Sequence, residues 1–239
     1  MASADLFESR GFRRGQDIEE RWFTKILTLF GSESWDALLR GARYLKAELS
    51  GVASDALLKT SFMGLDLLFN IKPPSINLYY RDKLGKPRHY AQFLPIAVNC
   101  FERGCLAKSD PPSPSSELVS IARFGGADTM RGYDRVFASQ LLGIMPQAAP
   151  EEVRKAADLV GGRMVEHLDS LWAYEIEPLA SVRVRFAYWP GDEELPPYAS
   201  ILYGAETLLT EIPLEDLKAL TFLIISRLGA AYHMTKSGH

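Results

Sequence analysis

The sequence predicts an α+β fold in which an antiparallel sheet packs against several amphipathic helices. Two observations predict it: apolar stripes at helical spacing near both ends of the chain, and apolar–polar alternation in residues 65–80 and 172–203. The 239 residues are 47% apolar and 24% charged, ordinary globular proportions that exclude a disordered or collagen-like chain. A chain of this length buries about 70% of its extended surface on folding, enough for a core without disulfide staples.

Residues 16–30 place Ile18, Trp22, Ile26 and Phe30 four apart, with Phe23 and Leu27 on the adjacent row, which predicts a helix. Asp17 and Glu20 read as its capping pair and Gly31 as its stop. Ser34 reads as the N-cap of a second helix, whose apolar face is Trp35, Leu38, Leu39, Ala42, Leu45 and Leu49. The short connection makes residues 1–50 an antiparallel helical pair. From Phe62 the period becomes two: Leu65, Leu67, Phe69 and Ile71, a break at Lys72-Pro73-Pro74-Ser75, then Ile76, Leu78 and Tyr80, a two-strand unit. Residues 89–103 read as helical after Pro95, with Gly104 as terminator. Residues 108–117 (KSDPPSPSSE) are the one break in composition. Such a stretch is a linker or a surface loop. The short flanking segments favour a single domain over residues 1–239 with a long Pro/Ser surface loop.

Residues 118–124 read as a strand and Gly125-Gly126 as a turn. Asp128 then caps a helix carrying Met130, Tyr133, Val136, Phe137 and Leu141 and ending at Gly143. Pro150, with Glu151 and Glu152 at the positive end of the helix dipole, opens a helix to Val160. In the next stretch Trp172, Tyr174 and Ile176 alternate with Ala173, Glu175 and Glu177, and Val182, Val184, Phe186 and Tyr188 with Arg183, Arg185, Ala187 and Trp189. A hairpin that sets Glu177 opposite Arg183 also sets Ile176 opposite Val184, Glu175 opposite Arg185 and Tyr174 opposite Phe186. A one-residue slip would forfeit each matched pair, at roughly 0.2–1 kcal/mol apiece. Trp189-Pro190-Gly191-Asp192 has the residues of a type II turn, residues 200–203 form the return strand, and Pro213 opens a last helix.

The net charge of −3 gives no field for a polyanion, so nucleic acid is not expected as a partner. Residues 1–14 lack the apolar run of a secretory signal, and the longest apolar run, residues 220–225, is far short of the roughly 20 residues a spanning helix needs. A cytoplasmic protein without membrane contact is therefore expected; its oligomeric state is left open. Cys100 and Cys105 are five apart and do not share a helix face, and His89, His167, His233 and His239 form no metal-binding pattern. No nucleophile elbow, P-loop or dinucleotide fingerprint occurs. No cofactor, metal or catalytic set is expected on these grounds.

Three features can carry recognition. Arg123, Gly125 and Gly126 lead into a helix N-terminus, a geometry that serves an anion or simply a turn capped by Asp128. Asp192, Glu193 and Glu194 form a loop braced by Pro190, Pro196 and Pro197, suited to a cation, to a basic partner or to plain solvation. Arg183 and Arg185 can hold an anion, but the register already supplies each with a glutamate.

The stretches FAYWPGDEELPPYASILYG (residues 186–204) and PLEDLKAL (213–220), with RFGGADTMRGYDRVFASQLL (123–142), closely resemble domain-of-unknown-function family 3786. The resemblance covers about residues 118–228, the family-like core. It implies an α+β domain found chiefly in anaerobic bacteria and archaea, sometimes fused behind a four-cysteine 4Fe-4S domain similar to one in corrinoid iron–sulfur proteins. This chain lacks the cysteine quartet. The resulting expectation is a non-catalytic binding or accessory domain whose surface is Arg123, Gly125, Gly126, Asp192, Glu193 and Glu194, with a protein of an iron–sulfur or corrinoid system as partner. The alternatives are a small-molecule enzyme that uses the three loop carboxylates with Arg123 or Arg183, and a structural subunit of an oligomer.

Overall fold

The computed structural model describes residues 11–15, 19–86, 88–125 and 127–237, with side chains at all of these except 127–131. The chain divides into two compact units, Met1–Pro111 and Pro112–His239, at a point inside the Pro/Ser stretch. Each contains a five-stranded antiparallel sheet with helices, as the α+β reading expects. No helix among the described residues is long and apolar enough to cross a membrane.

The first unit comprises β1 (Arg13–Arg14), α1 (Glu20–Ser32), α2 (Trp35–Tyr44), β2 (Glu48–Val52), β3 (Asp55–Phe62), β4 (Leu65–Lys72), β5 (Ser75–Asp82) and α3 (His89–Leu106). Its sheet order is β1-β5-β4-β3-β2. The β4–β5 hairpin turns at Pro73-Pro74, as read, with Lys72 opposite Ser75. The Ser34 hydroxyl accepts from the Ala37 N–H at 3.3 Å and caps α2. Several boundaries differ from the sequence reading. Helix α1 continues through Gly31 to Ser32, and Asp17 lies outside the described residues. Helix α2 stops at Tyr44 because Lys46 adopts φ 54°, and the Ala47 N–H closes onto the Ala42 carbonyl, a Schellman-type end. Leu49 therefore belongs to β2 and not to the helical stripe. Gly104 does not terminate α3. A Cβ there would lie 2.7 Å from the Tyr44 Cβ and 2.8 Å from the Gly41 Cα, so the two glycines let α2 and α3 touch backbone to backbone.

The second unit comprises β6 (Leu118–Val119), α4 (Ala122–Gly125), α5 (Ala127–Ile144), α6 (Pro150–Val160), β7 (Arg163–Val165), β8 (Trp172–Leu179), β9 (Val182–Trp189), β10 (Tyr198–Gly204), a 3-10 helix (Ala205–Thr210) and α7 (Leu214–Ser237). Its sheet order is β6-β10-β9-β8-β7. Tyr174, Phe186 and Tyr203 from the sheet are buried, as are Phe137 and Leu141 from α5, Val153 from α6, and Leu220, Ile224 and Leu228 from α7. The Tyr203 hydroxyl meets that of Thr221 on α7 at 2.8 Å, which satisfies both buried groups.

The hairpin register is the one read from the sequence over Ile176↔Val184, Glu175↔Arg185 and Tyr174↔Phe186. It breaks at the next pair. The register shifts between Ile176 and Leu179, which pairs with Val182, so Glu177 does not stand opposite Arg183. Pro178, which has no N–H to give the ladder, lies in that interval. The Glu177 carboxylate instead accepts from the Ser181 N–H at 2.9 Å. Residues 118–124 form a two-residue strand followed by the short helix α4, and Asp128 and Gly143 both lie inside α5.

Candidate functional site

The acidic loop projects as expected: residues 190–198 are exposed throughout. Its carboxylates do not converge, because Asp192 serves the loop itself. Asp192 Oδ1 accepts the N–H groups of Glu194 and Leu195 at 2.9 and 2.8 Å, and its own N–H reaches the Leu195 carbonyl at 2.9 Å. These backbone donors, Leu195 first, hold the Asp192 carboxyl below its usual range. Gly191 does not take the positive φ of a type II turn. Its lack of a side chain is required sterically, since a Cβ would meet the Pro197 N at 2.7 Å. Glu193 and Glu194 point from an exposed segment, and among the described residues no three His, Cys, Asp or Glu side chains converge to hold a metal ion.

Arg123 and Gly125 are exposed on α4, and Gly126 lies outside the described residues. Among the described residues no hydrogen bond or ion pair joins Arg123 or Gly125 to the 192–194 loop.

Arg183 and Arg185 are committed to a charge network. Arg185 Nη2 reaches Glu175 Oε2 at 2.6 Å, and Arg183 contacts Glu175 at 3.2 Å and Glu206 at 2.8 Å. Arg163 adds a bond to Glu175 Oε1 at 2.6 Å. Arg183 also donates to the Ser115 carbonyl, and the Ser115 N–H donates to Glu206. Burial pushes Glu175 and Glu206 upward, but the arginine hydrogen bonds and charges outweigh it and leave both below the usual range. His167 stands against Arg185 and the Trp189 ring, and burial followed by the Arg185 charge lowers its pKa. Glu206, in a 3-10 helix far from the hairpin in sequence, is the partner that alternation alone did not reveal.

Cys100 and Cys105 are free and buried. The Cys100 thiol donates to the Tyr44 carbonyl at 3.3 Å, and burial, aided by Glu33, pushes Cys105 up to about 12.

A groove of about 560 Å³ runs between α5 and β10. From α5 it is lined by Asp134, Arg135, Ala138, Ser139 and Leu142, from β10 by residues 198–202, and beyond β6 by Ser120. It adjoins both expected recognition segments in sequence: the acidic loop ends where β10 enters the groove at Tyr198, and Ser120 precedes the Arg123 turn. The half-buried Asp134 carboxyl is raised by burial, offset in part by the backbone N–H of Ile121 turned toward it, and its Oδ1 is buried without a partner. Among the described residues Arg135 and the hydroxyls of Ser120, Ser139 and Ser200 hydrogen-bond to no other side chain. Sequence reasoning passed over these residues. No local motif marks them, since the groove depends on where β6 stops.

The family model for the Domain of unknown function (DUF3786) matches residues 69–227, well over half of the chain. The chain belongs to this family. The match takes in the groove, the charge network and the acidic loop, and it begins within β4, ahead of the residues that carry the resemblance. No curated protein and no solved structure matches the DUF3786 chain.

Proposed function

We propose that this DUF3786 protein is a cytoplasmic, non-catalytic binding domain whose recognition surface is the α5–β10 groove, with the 190–197 loop and the Arg123–Gly125 turn at its margins. One observation carries the reading: polar groups that have no hydrogen-bond partner among the described residues, Arg135 and three serine hydroxyls, line a groove of about 560 Å³ together with a carboxylate of raised pKa. Convergent polar groups in an otherwise apolar concavity are the general signature of a ligand site. The enzymatic alternative has less support, because Asp192 is occupied by backbone amides and Arg183 by Glu175 and Glu206. The family resemblance supports an accessory role beside an anaerobic iron–sulfur or corrinoid protein.

The test is a thermal-shift screen of a metabolite panel on the full chain and on Ala138→Trp, which fills the groove from the helix side. At least one compound should raise the melting temperature of the parent and leave the variant unmoved. If every stabilising compound acts equally on both, the groove is not the binding surface.

A further inference from the structure

A second concavity, of about 470 Å³, opens at the end of β9, and none of its lining residues belongs to the α5–β10 groove. Its walls are Leu171, which precedes β8, and Pro190, Leu195, Pro196 and Pro197 from the acidic loop. All five are exposed, Leu195 at 67%. The prolines and the hydrogen bonds of Asp192 fix the path of the loop, so the concavity is formed before anything occupies it.

The turn ahead of Leu171 adds to the same surface. The Ser170 N–H donates to the His167 carbonyl at 3.1 Å, the His167 ring packs against Trp189 at 6.0 Å between centroids, and the Leu171 N–H donates to the Tyr188 carbonyl at 2.8 Å. These contacts fix the turn beside the Pro190 end of β9. At its tip stands Leu168, with φ 46° and an exposure of 84%. The left-handed region suits Gly, Asn or Asp, and a leucine that is left in water there contributes almost nothing to the fold. Exposed leucines gathered around a concavity are what a surface covered by a partner presents.

The charge of this surface has one sign. Glu166 and Asp169 flank Leu168, and Glu193 and Glu194 precede Leu195. All four are exposed, and their carboxylates form no hydrogen bond or ion pair among the described residues. The cations of the neighbouring strands, Arg163 and Arg185, are held by Glu175. Burial and the Arg185 charge lower the pKa of His167, so it adds no cation near neutral pH. A second copy of the chain placed here across a two-fold axis would set these carboxylates against their own kind. A small molecule in the concavity would leave Leu168 uncovered. A basic polypeptide meets both the leucines and the charge.

We infer that this end of the second unit docks a basic segment of a partner protein, with a large apolar side chain seated between Leu171 and Leu195, further apolar contact on Leu168, and flanking lysines or arginines facing Glu166, Asp169, Glu193 and Glu194.

The test is selection of random dodecapeptides on the full chain, followed by fluorescence polarisation of the enriched peptides against variants whose melting temperatures are measured alongside. Peptides with a large apolar residue between lysines or arginines should be enriched. Leu171→Ser combined with Leu195→Ser should weaken them about tenfold or more. Glu193→Gln combined with Glu194→Gln should weaken them about fivefold, a difference that disappears at about 0.5 M salt. Leu168→Asn should weaken them about fivefold while its melting temperature stays level or rises, because asparagine takes the left-handed conformation more readily. Absence of enriched peptides, enrichment of peptides without basic residues, affinity unchanged in either double variant, or a Leu168→Asn chain that melts lower and binds as before each overturns the inference. Peptides that lose binding in Ala138→Trp and keep it in Leu171→Ser with Leu195→Ser also overturn it, and leave the α5–β10 groove standing; the converse pattern supports this surface whatever the metabolite screen returns.

Discussion

Replacing Glu175 by glutamine tests the account of the hairpin charge network quantitatively. The Glu175 side chain is 3% exposed and serves three arginines, of which Arg163 is 72% exposed, Arg185 17% and Arg183 11%. The exposed pair with Arg163 is worth under about 1 kcal/mol. The other two guanidiniums are largely dehydrated, and Arg185 would lose its only carboxylate among the described residues. Removing one partner of a buried ion pair costs about 3–5 kcal/mol. Because Glu206 still compensates Arg183 at 2.8 Å, the lower end, about 3 kcal/mol, is expected for Glu175→Gln. At roughly 2–4 °C per kcal/mol, that lowers the melting temperature by about 6–12 °C. The pH dependence has a defined sign. The folded pKa of Glu175 lies below the ordinary 4.5, so its stabilisation is complete above that value and is lost as pH falls through the folded pKa. Urea unfolding followed by circular dichroism should show a parent-to-variant gap that is constant from about pH 8 to 5.5 and narrows below about 4.5. Glu177→Gln, which keeps an acceptor for the Ser181 N–H, should cost under about 1 kcal/mol. A Glu175→Gln chain within about 0.5 kcal/mol of the parent at pH 7, or a gap that widens in acid, would refute the reasoning.

Two further outcomes follow from the same geometry. Asp192→Ala removes the acceptor for the Glu194 and Leu195 amides, and hydrogen exchange should accelerate at those two residues while β9 and β10 remain protected; since the Asp192 carboxyl sits below its usual 3.8, the parent loop should loosen only at pH values beneath that. With Cys105 pushed up to about 12 and both thiols buried, iodoacetamide at pH 8 should label neither cysteine in the native chain and both in urea, because only about one Cys105 in ten thousand is a thiolate; rapid native labelling would contradict the packing of α2 on α3.

The second sheet was legible where a strand is buried on one face and its neighbour is joined by a tight turn. Ile176, Val184, Tyr174 and Phe186 alternate cleanly, and one register satisfies both their burial and the pairing of Glu175 with Arg185. The same reasoning failed one pair later because it counted side chains and not backbone donors. Pro178 breaks the ladder, and the carboxylate that reaches Arg183 from beyond the hairpin is Glu206. In the first unit, Leu49 extended an apparent helical stripe, while Leu57 blurred the alternation of Ala56, Leu58, Thr60 and Phe62, so β2 and β3 were not read. An apolar residue on the outer face costs little in a strand that packs its other side, yet it removes the periodicity on which sequence reading depends.

The groove was illegible for a different reason. Arg123 and Asp192 belong to segments with local character, two glycines and three acids, and local character is what a single sequence displays. Asp134, Arg135 and Ser139 have none; on α5 they are ordinary helix positions, Asp134 half-buried and Arg135 and Ser139 exposed. They come together because β6 pairs with β10 only at Tyr203 and Gly204, and α5 packs alongside the rest of that strand. An open edge is a hazard that proteins commonly blunt with charge, proline or a covering helix. Here Pro196 and Pro197 stand just before β10 and α5 lies alongside it, leaving Ala199 and Ile201 buried, so pairing at the edge is hindered while a groove of about 560 Å³ remains beside it. An edge covered in this way offers a ligand the exposed side chains of the groove rather than backbone pairing, which is why Ala138→Trp, placed on the helix wall, is the substitution that tests the proposed surface.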